Sequence, residues 1–304
     1  MVRELTELQG TMGGIYAREE GLPEAIWKAI YFHYLPVGVE ADAPPTRQQL
    51  GAAAVTWAAV SLADKLDSVV GMFTAGERPT GSRDPLGVRR QAQGAVKILA
   101  DLPELTGIDR RLKLGTLLER AAAPFGGYGD AAGPLLSFMA DRLTFLLSER
   151  GFDVRSVRAV MHGAIEDVSP LEARRKLEAL SQMTGSPALL GVATLLKRVK
   201  NISKGVATPQ ALPSADGVLT EPAEKALAAA IASGAPTIRA AVDRGDYREA
   251  FASVASLQPA VAKFFDDVLV MADDERVRAA RLGLVASLRG LILDIADISE
   301  MVTE

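Results

Sequence analysis

The chain has no cysteine, so neither a disulfide nor a thiolate zinc site can form, a composition that fits a cytosolic protein. Histidine is nearly absent too, with two in 304 residues and no His-Asp dipeptide, which removes the ordinary donors of a phosphohydrolase metal centre. No apolar run reaches the roughly 18 residues of a membrane-spanning helix, and the opening MVRELTELQG is too charged for a signal peptide. An excess of positive charge is missing as well: the net charge is −4 and the pI near 5.5. This excludes a general basic coat and confines any contact with nucleic acid to local patches. Long β-branched runs are also lacking, whereas Ala and Leu are abundant, which favours helix throughout.

What is present divides into helical segments separated by Gly and Pro. The length predicts about two domains. Residues 2–18 and 22–34 read as helices broken at Gly21-Leu22-Pro23. Trp27, Ile30, Tyr31 and Tyr34 fall at helical spacing, as core or packing surface rather than a stacking platform. His33, with no second histidine nearby, reads as a packed helix-end residue. Thr46 is placed to cap a long helix over 47–73, and Asp84, followed by Pro85, to cap a helix reaching Leu99. After a helix over 105–122, the run Ala123-Pro124-Phe125-Gly126-Gly127-Tyr128-Gly129 reads as the domain boundary. Helices are then expected at 134–151, 154–167, 170–183, 187–204, 222–233, 236–244 and 246–257. Pro259 should start the next, with Val261, Phe264, Phe265, Val268, Leu269 and Met271 in the core. Val277 to Ile298 closes the chain after the acidic turn Asp273-Asp274-Glu275.

The strongest local charge signal lies between Arg174 and Lys204, where seven basic residues face one acidic, Glu178, a net +6 on an otherwise acidic chain. Lys197, Lys200 and Lys204 share a helical face by their spacing. Such a face is either merely solvated or suited to single-stranded RNA, which needs cations for its backbone and amide or guanidinium groups for base edges. Lys197, Arg198, Lys200 and Asn201 supply both. Arg142, Arg174, Arg175, Arg278 and Arg281 are further candidates for RNA contact; the last two could equally be claimed by the acidic turn. In the N-terminal half, Arg83, Arg89 and Arg90 beside a helix start form a candidate phosphate contact, against the alternative of an ion-pair network with Asp64, Asp67 and Glu77.

The stretch ADKLDSVVGMFTAGERPTGSRDPLGVRR, Ala63 to Arg90, carries more than its spacing. With Glu7-Leu8-Gln9-Gly10-Thr11-Met12-Gly13 and His33-Tyr34-Leu35-Pro36 before it, it resembles the β subunit, or β part, of bacterial-type glycyl-tRNA synthetases. Phe138-Met139-Ala140-Asp141-Arg142-Leu143, Lys197-Arg198-Val199-Lys200-Asn201-Ile202 and Ala296-Asp297-Ile298-Ser299 continue the likeness in order, over nearly the whole chain. The pattern is already under way at Met1, so a piece of a longer protein is expected. The resemblance implies an all-α fold: a truncated HD-like helical module over 1–124, followed by an anticodon-binding bundle over 130–304. It implies glycine tRNA and the α subunit or α part as partners, no membrane and no DNA, and a cytoplasmic location. It implies no cofactor in this chain, because ATP and magnesium serve aminoacylation in the α part. In an HD-like module the helix carrying Asp64 and Asp67 would supply the final metal-site aspartate. Without His-Asp ligands, Asp64 and Asp67 are expected to be structural, capping or pairing with Lys65 or with arginines. The alternatives are a docking module without base readout and an HD-type phosphohydrolase remnant.

Overall fold

A computed structural model describes residues 8, 10–37, 44–79, 84, 87–183, 185–210, 212 and 218–302. Among these there is no β-strand. Contacts divide the chain into two compact units, residues 1–151 with 163–174, and residues 152–162 with 175–304.

The first unit begins with α1 (Thr11–Glu19) and α2 (Glu24–Phe32), a packed pair. Gly14 has its Cα against Tyr31, where a Cβ would stand 2.6 Å from the Tyr31 Cα. The long helix expected over 47–73 is interrupted. Thr46 caps α3 (Arg47–Leu50) through a capping box with Gln49, but Gly51 at φ 54° turns the chain through a 3-10 segment. Then α4 (Ala54–Thr74) begins. Its buried positions, Trp57, Leu62, Leu66, Val69, Val70 and Phe73 among them, recur at three and four residues, the period of one helix face. Against α4 pack α2, α5 (Val88–Ala100) and α7 (Leu114–Ala122). The helix expected from Asp84 begins at Val88, behind left-handed Gly87; Asp84 still accepts from the Arg89 amide at 3.0 Å. Gly107 at φ 79° splits the expected 105–122 helix into α6 (Leu102–Thr106) and α7.

The Gly-rich run 123–129 lies inside this unit rather than at its edge. Two 3-10 turns, Ala123–Phe125 and Gly129–Ala131, lead directly into α8 (Ala132–Glu149), which packs on α5. The physical reason is Phe125, whose ring fills the space over Gly71 of α4; a Cβ there would meet the ring at 3.0 Å.

Asp64 and Asp67 are half-buried and exposed, and Lys65 does not pair with them as expected. It is 1 % exposed, and its ammonium donates to the carbonyls of His33 (3.1 Å) and Tyr34 (2.9 Å). One turn earlier Ser61 donates to His33 (2.7 Å), and one turn before that Trp57 Nε1 donates to the Phe32 carbonyl (2.9 Å). The free carbonyls at the end of α2 are thus satisfied by three side chains from successive turns of α4. Gly94 of α5 makes room: a Cβ there would lie 2.6 Å from Lys65 Cε and 2.7 Å from the Pro36 carbonyl. Burial lowers the Lys65 pKa to about 8, the charge of Asp64 opposing the shift.

The second unit contains α9 (Val154–Val160), α11 (Pro187–Ile202), α12 (Pro222–Arg244), α13 (Tyr247–Ala255), α14 (Gln258–Asp267) and α15 (Glu275–Leu293). The division of the chain falls within α10 (Pro170–Gln182). Helix α12 packs on α13 and α14, and α11 on α13, α14 and α15, while a closing 3-10 turn, Ile298–Met301, seats against α9 and α11. Tyr247, Phe251, Phe264, Leu227 and Leu284 are fully buried between them. Two expected helices, 222–233 and 236–244, are one, since α12 runs through Pro236. Its cap is Glu221 in a capping box with Glu224, not Thr220. Asp274 caps α15, accepting from the Arg276 and Val277 amides at 2.8 and 3.2 Å. These bonds hold its carboxyl below the usual range. Leu269 and Met271, expected in the core, are 73 % and 57 % exposed, because α14 ends at Asp267 and they lie on the segment after it.

Candidate nucleic-acid interface

Helix α11 starts at Pro187 behind Ser186, whose hydroxyl accepts from the Leu189 amide at 3.4 Å. Leu189, Val192, Ala193, Leu196 and Val199 turn inward, which leaves the positions between them for polar side chains. Lys197, Lys200 and Asn201 come together there, lining a pocket of about 330 Å³ with Ser299, Glu300 and Val302 of the closing turn. Lys200 is tied down: it donates to Asp297 and, at 3.0 Å, to Ser299 Oγ, which itself donates to Asp297 at 2.5 Å. Burial alone would raise the Asp297 pKa. The hydrogen bonds from Lys200 and Ser299, with the charges of Lys200 and His162, outweigh it and hold the carboxyl below its usual value. Lys197 makes no ion pair among the described residues; Lys204, expected on the same helical face, lies beyond the end of α11 at Ile202, is exposed, and makes none either.

Arg198 leaves this pocket. Its guanidinium lies 4.5 Å from the ring centroid of Phe265, a cation–π arrangement that keeps its edge donors available. Helix α11 therefore offers a free ammonium (Lys197), a side-chain amide (Asn201) and a flat guanidinium (Arg198) on about one turn. Those are the groups single-stranded RNA requires.

The other candidate residues are elsewhere, most with their donors engaged. Arg174 belongs to the first unit and pairs with Asp101 (2.9 Å) and Glu104 (2.5 Å); Arg150 shares Asp101 at 2.6 Å. Arg175 is half-buried and partnered. Arg278 donates to the Ala272 carbonyl at 2.9 Å and pairs with Glu275. Arg281 donates to fully buried Glu224 and to the Leu269 carbonyl. The acidic turn thus claims Arg278, whereas Arg281 pairs with a carboxylate of α12 that neither expectation named. Arg142, in the first unit, is flanked by Phe138 and Phe145 at 5.7 and 5.5 Å, its buried Nε without a hydrogen-bond partner. Arg89 is half-buried and partnered, Arg90 is exposed, and Arg83 lies outside the described residues. No group of three or more His, Asp or Glu able to hold a metal ion occurs among the described residues. No single helix among them is long and apolar enough to cross a membrane. Sequence reasoning missed Glu300 and the Asp297–Ser299 brace, although the block containing Asp297 and Ser299 was part of the likeness.

Within this bundle, residues 192–299 match the DALR anticodon binding domain. Residues 1–162 match the family described as glycyl-tRNA synthetase beta subunit. The chain belongs to that family. It is 39 % identical over 310 residues to the glycine–tRNA ligase beta subunit of Anaeromyxobacter dehalogenans, with 100 % of this chain and 42 % of that one covered. It is 38 % identical to that of Dechloromonas aromatica, covering 99 % of this chain and 40 % of the relative. The figure is again 38 % for Acidobacterium capsulatum, over 99 % and 42 %. The chain thus spans about two fifths of the length of these curated relatives.

Proposed function

We propose that this chain binds glycine tRNA as the C-terminal part of a glycine–tRNA ligase beta subunit, holding the anticodon loop on α11 and the closing turn. The observation that carries the reading is that the matched anticodon-binding domain contains the Lys197–Lys200–Asn201 pocket. Lys197 and Lys204 meet backbone phosphates, Asn201 and Arg198 meet base edges or faces, and Lys200 is held by Asp297 so that the pocket wall stays ordered. Arg142 and Arg90 are auxiliary contacts for the rest of the tRNA. Glycyl transfer, with its ATP and magnesium, falls to the α subunit or α part as partner, and the whole works in the cytoplasm. This portion is a binding element and performs no catalytic step.

The test is fluorescence anisotropy with glycine tRNA, and with the same tRNA carrying a replaced anticodon, at two salt concentrations. Wild type should prefer the native anticodon by about tenfold or more, as loss of one or two base contacts predicts. Lys197→Glu should weaken both complexes and lower the salt dependence by about one counterion. Equal affinity for both tRNAs would limit the site to backbone recognition. No binding to either would favour a docking module for the α part.

A further inference from the structure

The second unit holds another pocket, of about 460 Å³, bounded by α12, α15 and the residues Thr208, Pro209, Gln210 and Leu212. Its floor is apolar, with Ile231, Ala235 and Leu291 buried, and its rim is polar, with Arg239, Gln210 and Asp294. Three features show that it is built. Pro236 has no N–H to give the Ala232 carbonyl, and both residues line the pocket. A backbone acceptor on its wall is thereby left without its ordinary helical donor. Arg239, less than one turn further along, is exposed and makes no ion pair or hydrogen bond among the described residues. The opposite wall is pinned: Arg289 of α15 donates to the carbonyls of Ser203 and Val206 (2.6 Å). Gly290 lets Thr208 lie so close that a Cβ there would stand 2.6 Å from its methyl group.

We propose that this pocket receives one unstacked nucleobase of a single-stranded RNA loop, with the ring on the apolar floor and its edge between Arg239 and the Ala232 carbonyl. The proposal rests on the RNA-binding reading above and extends it to a site that contains none of the α11 lysines. The volume lies in the range of small-ligand sites. Apolar faces with a polar edge are the chemistry of a base rather than of a phosphate, and an acceptor beside a cation on the rim suits an edge that both donates and accepts. One chain segment, 197–210, runs from the lysine pocket through Lys204 to this wall, so an RNA strand tracking those cations is led to it.

The test is a coupling cycle on the full 304-residue chain, using anticodon stem-loops in which one loop nucleotide at a time is abasic. Abasic sites remove the base and keep the phosphate. Ala232→Trp fills the pocket from an exposed position, and Arg239→Gln removes the rim cation. Wild type should lose about tenfold in affinity at one loop position, the scale of one bound base. Ala232→Trp should bind the intact loop about tenfold more weakly and be indifferent to the abasic change at that position. Arg239→Gln should lie between. If Ala232→Trp keeps the full abasic penalty at every position while Lys197→Glu weakens binding, the pocket proposal falls and the RNA-binding function stands. If wild type binds no stem-loop at the lower salt, both fall.

Discussion

Helices α4 and α11 each place lysine within one turn of the buried stripe, and they use it in opposite ways. On α4, Lys65 sits in the core and spends its ammonium on two backbone carbonyls. On α11, Lys200 is half-exposed and braced by Asp297, which leaves Lys197 to solvent in the same pocket. Basic charge alone does not make a ligand site. What separates the two is whether protein acceptors already engage the ammonium, and whether a ligand's phosphate can reach it. Lys65 fails on both counts, and Lys197 passes on both.

The sharpest way to break the contrast is to remove Lys65. Lys65→Ala should lose about 3 kcal/mol in a denaturant titration, the sum of an unpaired buried carbonyl and a stem-sized void. Its titration adds a signature. A lysine with its folded pKa lowered to about 8 binds fewer protons folded than unfolded between that value and 10.5. Stability should therefore rise with pH through this window, by about 3 kcal/mol in total. Lys65→Met should remove that rise relative to wild type; an unchanged slope would mean the ammonium is solvated. RNA affinity should be unaffected in both variants.

A smaller effect is expected on α11. Asp297→Asn should cost about 1 kcal/mol, because the Lys200 brace is only partly shielded from water. The depressed Asp297 pKa means that this stability is present above the ordinary carboxyl pKa and lost as pH falls through the folded value. The variant's acid limb should therefore be shallower, and its affinity for RNA should rise as the negative charge behind Lys200 is removed. Smallest of all is Lys204→Ala, which should leave the unfolding midpoint unchanged, weaken RNA binding slightly and lower its salt dependence.

These contrasts also mark how much could be read from residues alone. Helix content and the shared face of Lys197 and Lys200 follow from spacing, and the structure keeps them. Where spacing misled, a long-range partner decided. Pro236 does not stop α12, which runs on to Arg244 although the Ala232 carbonyl loses its ordinary helical donor. Arg174 and Arg281 look like free cations in sequence, and their carboxylates lie about 70 and 57 residues away. Lys65 looks like a surface lysine beside two aspartates, because nothing local reveals that the end of α2 presents carbonyls to it. The nucleobase pocket draws on residues from 208 to 294 and has no linear signature.

The ladder of Trp57, Ser61 and Lys65 has a kinetic consequence. Helix α2 has nine residues, too few to persist alone in water. The groups that finish its last turn come from side chains 25 to 32 positions later. Its formation is therefore tied to that of α4, and the two should gain and lose order as one cooperative unit. The N-terminal hairpin should therefore not form ahead of the helix that follows it.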